Sequence, residues 1–181
     1  LNVTTGDVSL VVDMGNLFTD YKAYVYDKDN DELDWTHLNT IQWMGDNEIL
    51  VSSRETSTIV KIKDIYDTPE IDYMMGEQSF WEDSAYEALL LDKANSFTSQ
   101  TGQHSITYVE DASLEDGQYY LYLFNNNLGY SESRPDYDWS QIDQIATDLS
   151  SGTTSYYYKY LVDENAGTFS LEDSFEVPYS G

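Results

Sequence analysis

Cysteine is absent from all 181 residues, which excludes a disulfide framework, a thiolate nucleophile and any zinc–thiolate site. Cations are scarce: eight Lys plus Arg stand against thirty-four Asp plus Glu, for a formal charge of −26. Nucleic acid and anionic membrane surfaces need basic patches, so neither is an expected partner. The negative charge serves solubility and carries little information about fold. No apolar run reaches the ~18 residues of a membrane span, so no membrane insertion is expected. There is no Gly-rich phosphate loop and no His/Cys/Asp constellation for a catalytic transition metal. No cofactor and no metal are therefore expected. The chain starts at Leu1 without an initiating Met or a signal-peptide apolar region, and stops after a strand-like run at Tyr179-Ser180-Gly181. A piece of something longer is the expectation.

What the chain has in quantity is aromatic side chains: seventeen Tyr, six Phe and four Trp. These suit pleated surfaces, and the length suffices for one domain with a sizeable core. Strand-like runs recur between turn residues at Asp7–Asp13, Tyr21–Asp27, Asn39–Met44, Glu48–Arg54, Ser57–Lys63, His104–Val109, Gln118–Phe124, Ser155–Val162 and Thr168–Phe175. Gly45-Asp46-Asn47 marks a hairpin. Phe80–Asp92 fits a helix or an irregular excursion, and Trp139, Ile142, Ile145 and Leu149 recur at helical spacing.

The rare polar groups that carry chemistry fall in three stretches: Asp34-Trp35-Thr36-His37-Leu38-Asn39, Ser52-Ser53-Arg54 and Gly102-Gln103-His104-Ser105. They hold both histidines and one of the two arginines. A pattern repeats around them. His37 precedes a strand, a Gly-Asp-Asn turn and a second strand ending in Ser52-Ser53-Arg54. His104 precedes a strand, a turn at Gly117 and a second strand ending in Asn125-Asn126-Asn127. Antiparallel pairing puts the start of one strand beside the end of the next, so each histidine is expected near its own polar cluster. His37 and Asn39, two apart in an extended segment, are expected on one face, with Thr36 and Leu38 in packing. Meanders repeating at roughly 40–70 residues favour β-propeller blades over a sandwich. The expected architecture is all-β: about three blades, at 1–33, 34–100 and 101–181, made of antiparallel meander sheets.

These residues resemble the arylsulfate sulfotransferase family of bacterial β-propeller enzymes, which use no nucleotide donor. The Asp-Trp-x-His-x-Asn element is Asp34, Trp35, His37 and Asn39. The Ser-Ser-Arg element is Ser52-Ser53-Arg54, the Gln-His element is Gln103-His104, and the Asn-rich loop is Phe124-Asn125-Asn126-Asn127-Leu128-Gly129. Met75-Gly76, Phe80-Trp81 and Ser133-Arg134-Pro135 also fit. The match covers about residues 1 to 175 and corresponds to the C-terminal part of a six-bladed propeller with its site in the central channel. The resemblance implies transfer of a sulfuryl group from an aryl sulfate ester to a phenol by a ping-pong route. His104 would be the nucleophile that becomes sulfated, and His37, Asn39 and Arg54 would hold the sulfuryl and leaving oxygens. Asn125 and Asn127 are further substrate-binding candidates. An extracytoplasmic location, secreted, cell-surface or periplasmic, is also implied.

The chemistry suits those residue types. An unperturbed imidazole, with a pKa of about 6.5, offers a lone pair at pH 7. Arginine presents a planar fork of donors to a tetrahedral oxyanion, and Asn adds neutral donors. A second histidine is suited to protonate the leaving aryloxide. Each residue also has a structural alternative. A lone histidine hydrogen-bonds within a sheet, Arg54 forms a salt bridge, Asn125–Asn127 makes a turn, Tyr156-Tyr157-Tyr158 packs a strand, and Arg134 forms a loop ion pair. Asp27, Asp29, Asp31 and Asp34 mimic a calcium loop, but Glu32 and Leu38 occupy positions where that loop needs Gly and Glu, so a solvated acidic loop is expected. The competing function is a non-catalytic secreted propeller module for binding or scaffolding, in which the four candidate residues would be scattered. Open blade edges predict that the piece either pairs with another copy of the chain or is a remnant of something longer, and that it is inactive alone.

Overall fold

The computed structural model describes residues 3–9, 11–21, 33–148 and 154–177. Two antiparallel sheets dominate it, neither of them closed. The first is a meander of β1 (Leu38–Gly45), β2 (Glu48–Ser53), β3 (Thr58–Lys63) and β4 (Glu70–Met75) in sequential order. The second runs β6 (His104–Val109), β7 (Gln118–Asn125), β8 (Ser155–Asp163) and β9 (Thr168–Val177), again sequentially. The short β5 (Asp92–Lys93) adds to the outer edge, parallel to β9.

Turn chemistry sets these registers. Asp46 and Asn47 both adopt positive φ, at 45° and 67°, as a two-residue primed hairpin turn requires. Buried side chains explain the layering. Leu50, Ile59, Tyr73 and Met75 of the first sheet meet Ile106, Leu121, Leu123, Tyr160 and Val162 of the second. The opposite face of the first sheet, with Ile49, Val51, Val60, Ile62 and Met74, packs on Phe18, Phe80, Trp81, Tyr86 and Trp139. β2 and β3 are therefore buried on both faces and lose the alternation of a half-exposed strand. β7 keeps it, and Tyr122, Tyr157 and Phe175 lie exposed on the outer face of the second sheet.

Several expectations change. Asp7–Asp13 forms no strand where described, and a one-turn helix Met14–Leu17 follows it, started by Asp13 Oδ1 accepting from Gly15 N at 2.8 Å. Tyr21 is helical rather than extended, and the rest of Tyr21–Asp27 lies outside the described residues, as do Asp27, Asp29 and Asp31 of the acidic loop and Leu149. Phe80–Asp92 is the irregular excursion, with helical turns Gln78–Trp81 and Glu87–Leu89. Trp139 begins only a 3-10 turn, Trp139–Gln141. β4 was not expected: Glu70 and Asp72 obscure its apolar face, yet Asp72 pairs with Lys61 and Lys63. Arg134 donates to the Phe80 carbonyl and lies over the Phe80 and Tyr137 rings, at 4.9 and 5.3 Å.

Candidate active site

β1 and β6, each an edge strand of its sheet, lie side by side. Side chains of β1 bond the backbone at β6 in one parallel register: Asn39 Nδ2 donates to Gln103 O at 2.8 Å, and Thr40 Oγ1 accepts from Ser105 N at 3.0 Å. Farther along, Gln42 Oε1 accepts from Tyr108 N at 3.2 Å. The starts of β1 and β6 therefore share one end of the molecule. Antiparallel pairing brings the ends of β2 and β7 to the same end, through Leu38↔Ser53 and His104↔Phe124.

Both of these edge strands begin irregularly. In β1 the register shifts between Leu38 and Thr40, so Asn39 is the extra residue of a bulge. In β6 it shifts between His104 and Thr107, and Ser105 has φ 57°. His37 has φ 46° and precedes β1. The expected two-residue alternation of His37 and Asn39 is thus broken, and Leu38 is exposed rather than packed. Bulges re-aim side chains at sheet edges, which suits a site.

Each histidine does meet its own cluster. His37 O accepts from Arg54 N at 3.2 Å, while its Nδ1 lies 2.7 Å from Asp34 Oδ2. His104 Nδ1 lies 2.7 Å from Asn126 Oδ1. Arg54 Nη1 pairs with Glu55 Oε2 at 3.2 Å, and the guanidinium sits 5.9 Å from the Tyr130 ring centre. One donor of Arg54 is spent there, and others of its fork remain. Burial pushes the Glu55 carboxyl above the ordinary range, opposed by the Ser133 N–H and by Arg54.

The polar groups beneath are locked. Ser99, Gln100, Thr101 and Gln103 are fully buried. Gln103 Nε2 donates to Ser52 Oγ, Ser53 O and Thr58 O at 3.1, 3.1 and 3.2 Å, tying the first sheet to the backbone next to His104. Gln100 Nε2 reaches Met75 O at 2.9 Å, and its Oε1 accepts from Tyr160 at 2.9 Å.

Asn125 and Asn127, expected at the substrate, build the loop. Asn125 is fully buried, and its Oδ1 accepts from Thr101 N and Asn127 N, both at 2.9 Å. Asn127 is buried at φ 56° and spends Nδ2 on Gln144 O at 2.8 Å. Both spend these atoms on backbone groups. Asn126, between them, is the residue that touches a candidate catalytic group, and only its place in the Asn run pointed to it. Tyr158 is buried and Tyr157 exposed, as strand packing requires. Among the described residues no cluster of His, Cys, Asp and Glu is built to hold a metal, and no helix is long and apolar enough to cross a membrane.

Two meander sheets, with a histidine at the start of each adjacent edge strand and Arg54 bonded to the backbone of one of them, define an all-β protein. The arylsulfotransferase (ASST) family profile matches residues 1–181, and the chain belongs to that family. No curated protein matches the chain. Among solved structures it is similar to a hypothetical selenium-binding protein from Sulfolobus tokodaii, at 11% identity and a TM-score of 0.39 over 77% of this chain. The chain spans 26% of that protein's length.

Proposed function

We propose that this protein moves a sulfuryl group from an aryl sulfate ester to a phenol in two steps through a sulfated His104. The observation that carries this reading is the ring of His104, bound at Nδ1 by Asn126, with no hydrogen bond to Nε2 among the described residues. In the first step the Nε2 lone pair forms an N–S bond as the S–O(aryl) bond breaks. The electron pair leaves on the aryloxide oxygen, which His37 protonates. In the second step the phenol gives its proton to His37 and its oxygen takes the sulfuryl group, restoring His104.

Arg54 and the Asn39 N–H not used on Gln103 would bind the non-bridging oxygens, where charge is held through the transition state. Glu55 orients Arg54, while Asp34 holds the His37 ring from Nδ1. On this reading the two sheets are consecutive blades of a six-bladed propeller, with β1 and β6 lining its channel. The protein works outside the cytoplasm.

Release of 4-nitrophenol from 4-nitrophenyl sulfate, with phenol as acceptor, tests the assignment on the intact protein. His104→Asn should abolish release, and Arg54→Ala should lower it by about 10²-fold, the usual cost of one oxyanion donor. Full turnover by His104→Asn sinks the mechanism.

A further inference from the structure

The two histidines differ in what holds Nδ1: an anionic carboxylate for His37, a neutral amide for His104. An amide oxygen only accepts, so the Asn126 Oδ1 contact at 2.7 Å requires the proton of a neutral His104 ring to sit on Nδ1. Nε2 then carries the lone pair. Left to itself, a histidine side chain prefers the opposite tautomer, with Nε2 protonated and unable to attack.

Asn126 is held for this task from three sides. Asn125 Oδ1 accepts from the backbone N–H groups of Thr101 and Asn127, which fixes the turn around Asn126. Ser155 Oγ donates to Asn126 O at 3.4 Å from the neighbouring strand. Below it, Gly102 has φ 59°, and a Cβ there would stand 3.0 Å from Leu128 O and 3.6 Å from Asn126 Cβ. A glycine beside the Gln-His pair thus allows the loop to approach the imidazole.

We propose that Asn126 is the positioning residue that selects the tautomer of His104 and makes Nε2 its reactive nitrogen. The catalytic half of this statement rests on the sulfotransferase reading, whereas the tautomer half stands on geometry alone. When Nε2 takes the sulfuryl group, the Nδ1 proton stays on the bond to Asn126, so no proton needs to leave the ring during attack. The neutral partner suits this step. A carboxylate there would strengthen the ring's hold on a second proton and occupy the lone pair.

Because the chain has only two histidines, its imidazole nitrogens can be resolved by ¹⁵N NMR, with His37→Gln and His104→Asn assigning the rings. Above the titration range, wild-type His104 should show a protonated Nδ1 and a bare Nε2. Asn126→Ala should shift His104 toward the Nε2–H form and leave His37 unchanged as an internal reference. Asn126→Asp keeps an acceptor in place and should restore the Nδ1–H form. In sulfuryl transfer, Asn126→Ala should lower kcat about 10- to 100-fold with KM unchanged, as loss of an outer partner that orients a ring usually does. A wild-type His104 protonated on Nε2 overturns the proposal, as does an unaltered tautomer in folded Asn126→Ala. An Nδ1–H ring in a protein without sulfuryl transfer would uphold the tautomer assignment and sink the sulfotransferase mechanism instead.

Discussion

Gln103→Leu removes one amide and keeps most of the side-chain volume, which makes it a sharp probe of the seam between the sheets. The amide nitrogen has two hydrogens for its three acceptors, so about two full hydrogen bonds are lost, each worth roughly 0.5–1.5 kcal/mol net. The side chain is fully buried, and Ser52 Oγ and the carbonyls it served have no water to replace it. Stranding an acceptor adds about 1–3 kcal/mol. Against this, Gln103 Oε1 has no partner among the described residues, and removing it returns part of the loss. A net destabilisation of about 2–4 kcal/mol is expected, a large share of the roughly 5–15 kcal/mol typical of a domain. In urea, with a slope of about 1–3 kcal/mol per molar, the midpoint should fall by at least ~0.7 M. A shift within the ~0.5 kcal/mol usual for surface changes would refute the claim that this amide joins the sheets.

Glu55→Gln should remove a pH-dependent term. Burial raises the folded-state pKa above 4.5, so the native state binds more protons than the unfolded chain just above that pH. Wild-type stability should therefore fall as pH rises from 4.5 through the raised value, and the variant should lack this slope in urea titrations at several pH values. Lys61 is 3% exposed among Glu48, Asp72 and Glu164, at 2.9, 3.3 and 2.8 Å. Lys61→Met should cost about 3–5 kcal/mol at pH 7 by leaving those carboxylates facing one another, with part recovered below pH ~4 as they protonate. Burial lowers the Lys61 pKa, and bonds from Glu164 and Glu48 more than offset it, so its stabilisation should persist to pH 10.5 and fade above that. Gly102→Ala should destabilise by about 1–2 kcal/mol through its left-handed backbone, and should change the His104 imidazole signals by pushing the loop at Leu128 outward.

The strands with strong alternation or turn punctuation were legible in the sequence. His104–Val109 coincides with β6, and the Asp46-Asn47 turn sits where the residues placed it. The pairing rule also put each histidine beside its polar cluster. β4 was hidden because its charged residues find partners on β3, a tertiary event that local pattern does not record. Bulges and left-handed backbone at His37, Asn39 and Ser105 defeated the argument from alternation, since one inserted residue reverses every later side chain. Which of Asn125, Asn126 and Asn127 meets His104 turns on which amide the loop consumes for its own backbone. Three identical side chains in a row give no sign of that.

The central claim is that His104 carries the sulfuryl group between donor and acceptor. Mass spectrometry of the intact protein, after brief exposure to 4-nitrophenyl sulfate without acceptor, tests it most directly. The account predicts one sulfuryl adduct on the peptide containing His104, discharged on adding phenol. An unmodified His104 peptide alongside undiminished nitrophenol release would contradict it, because transfer would then proceed without the histidine.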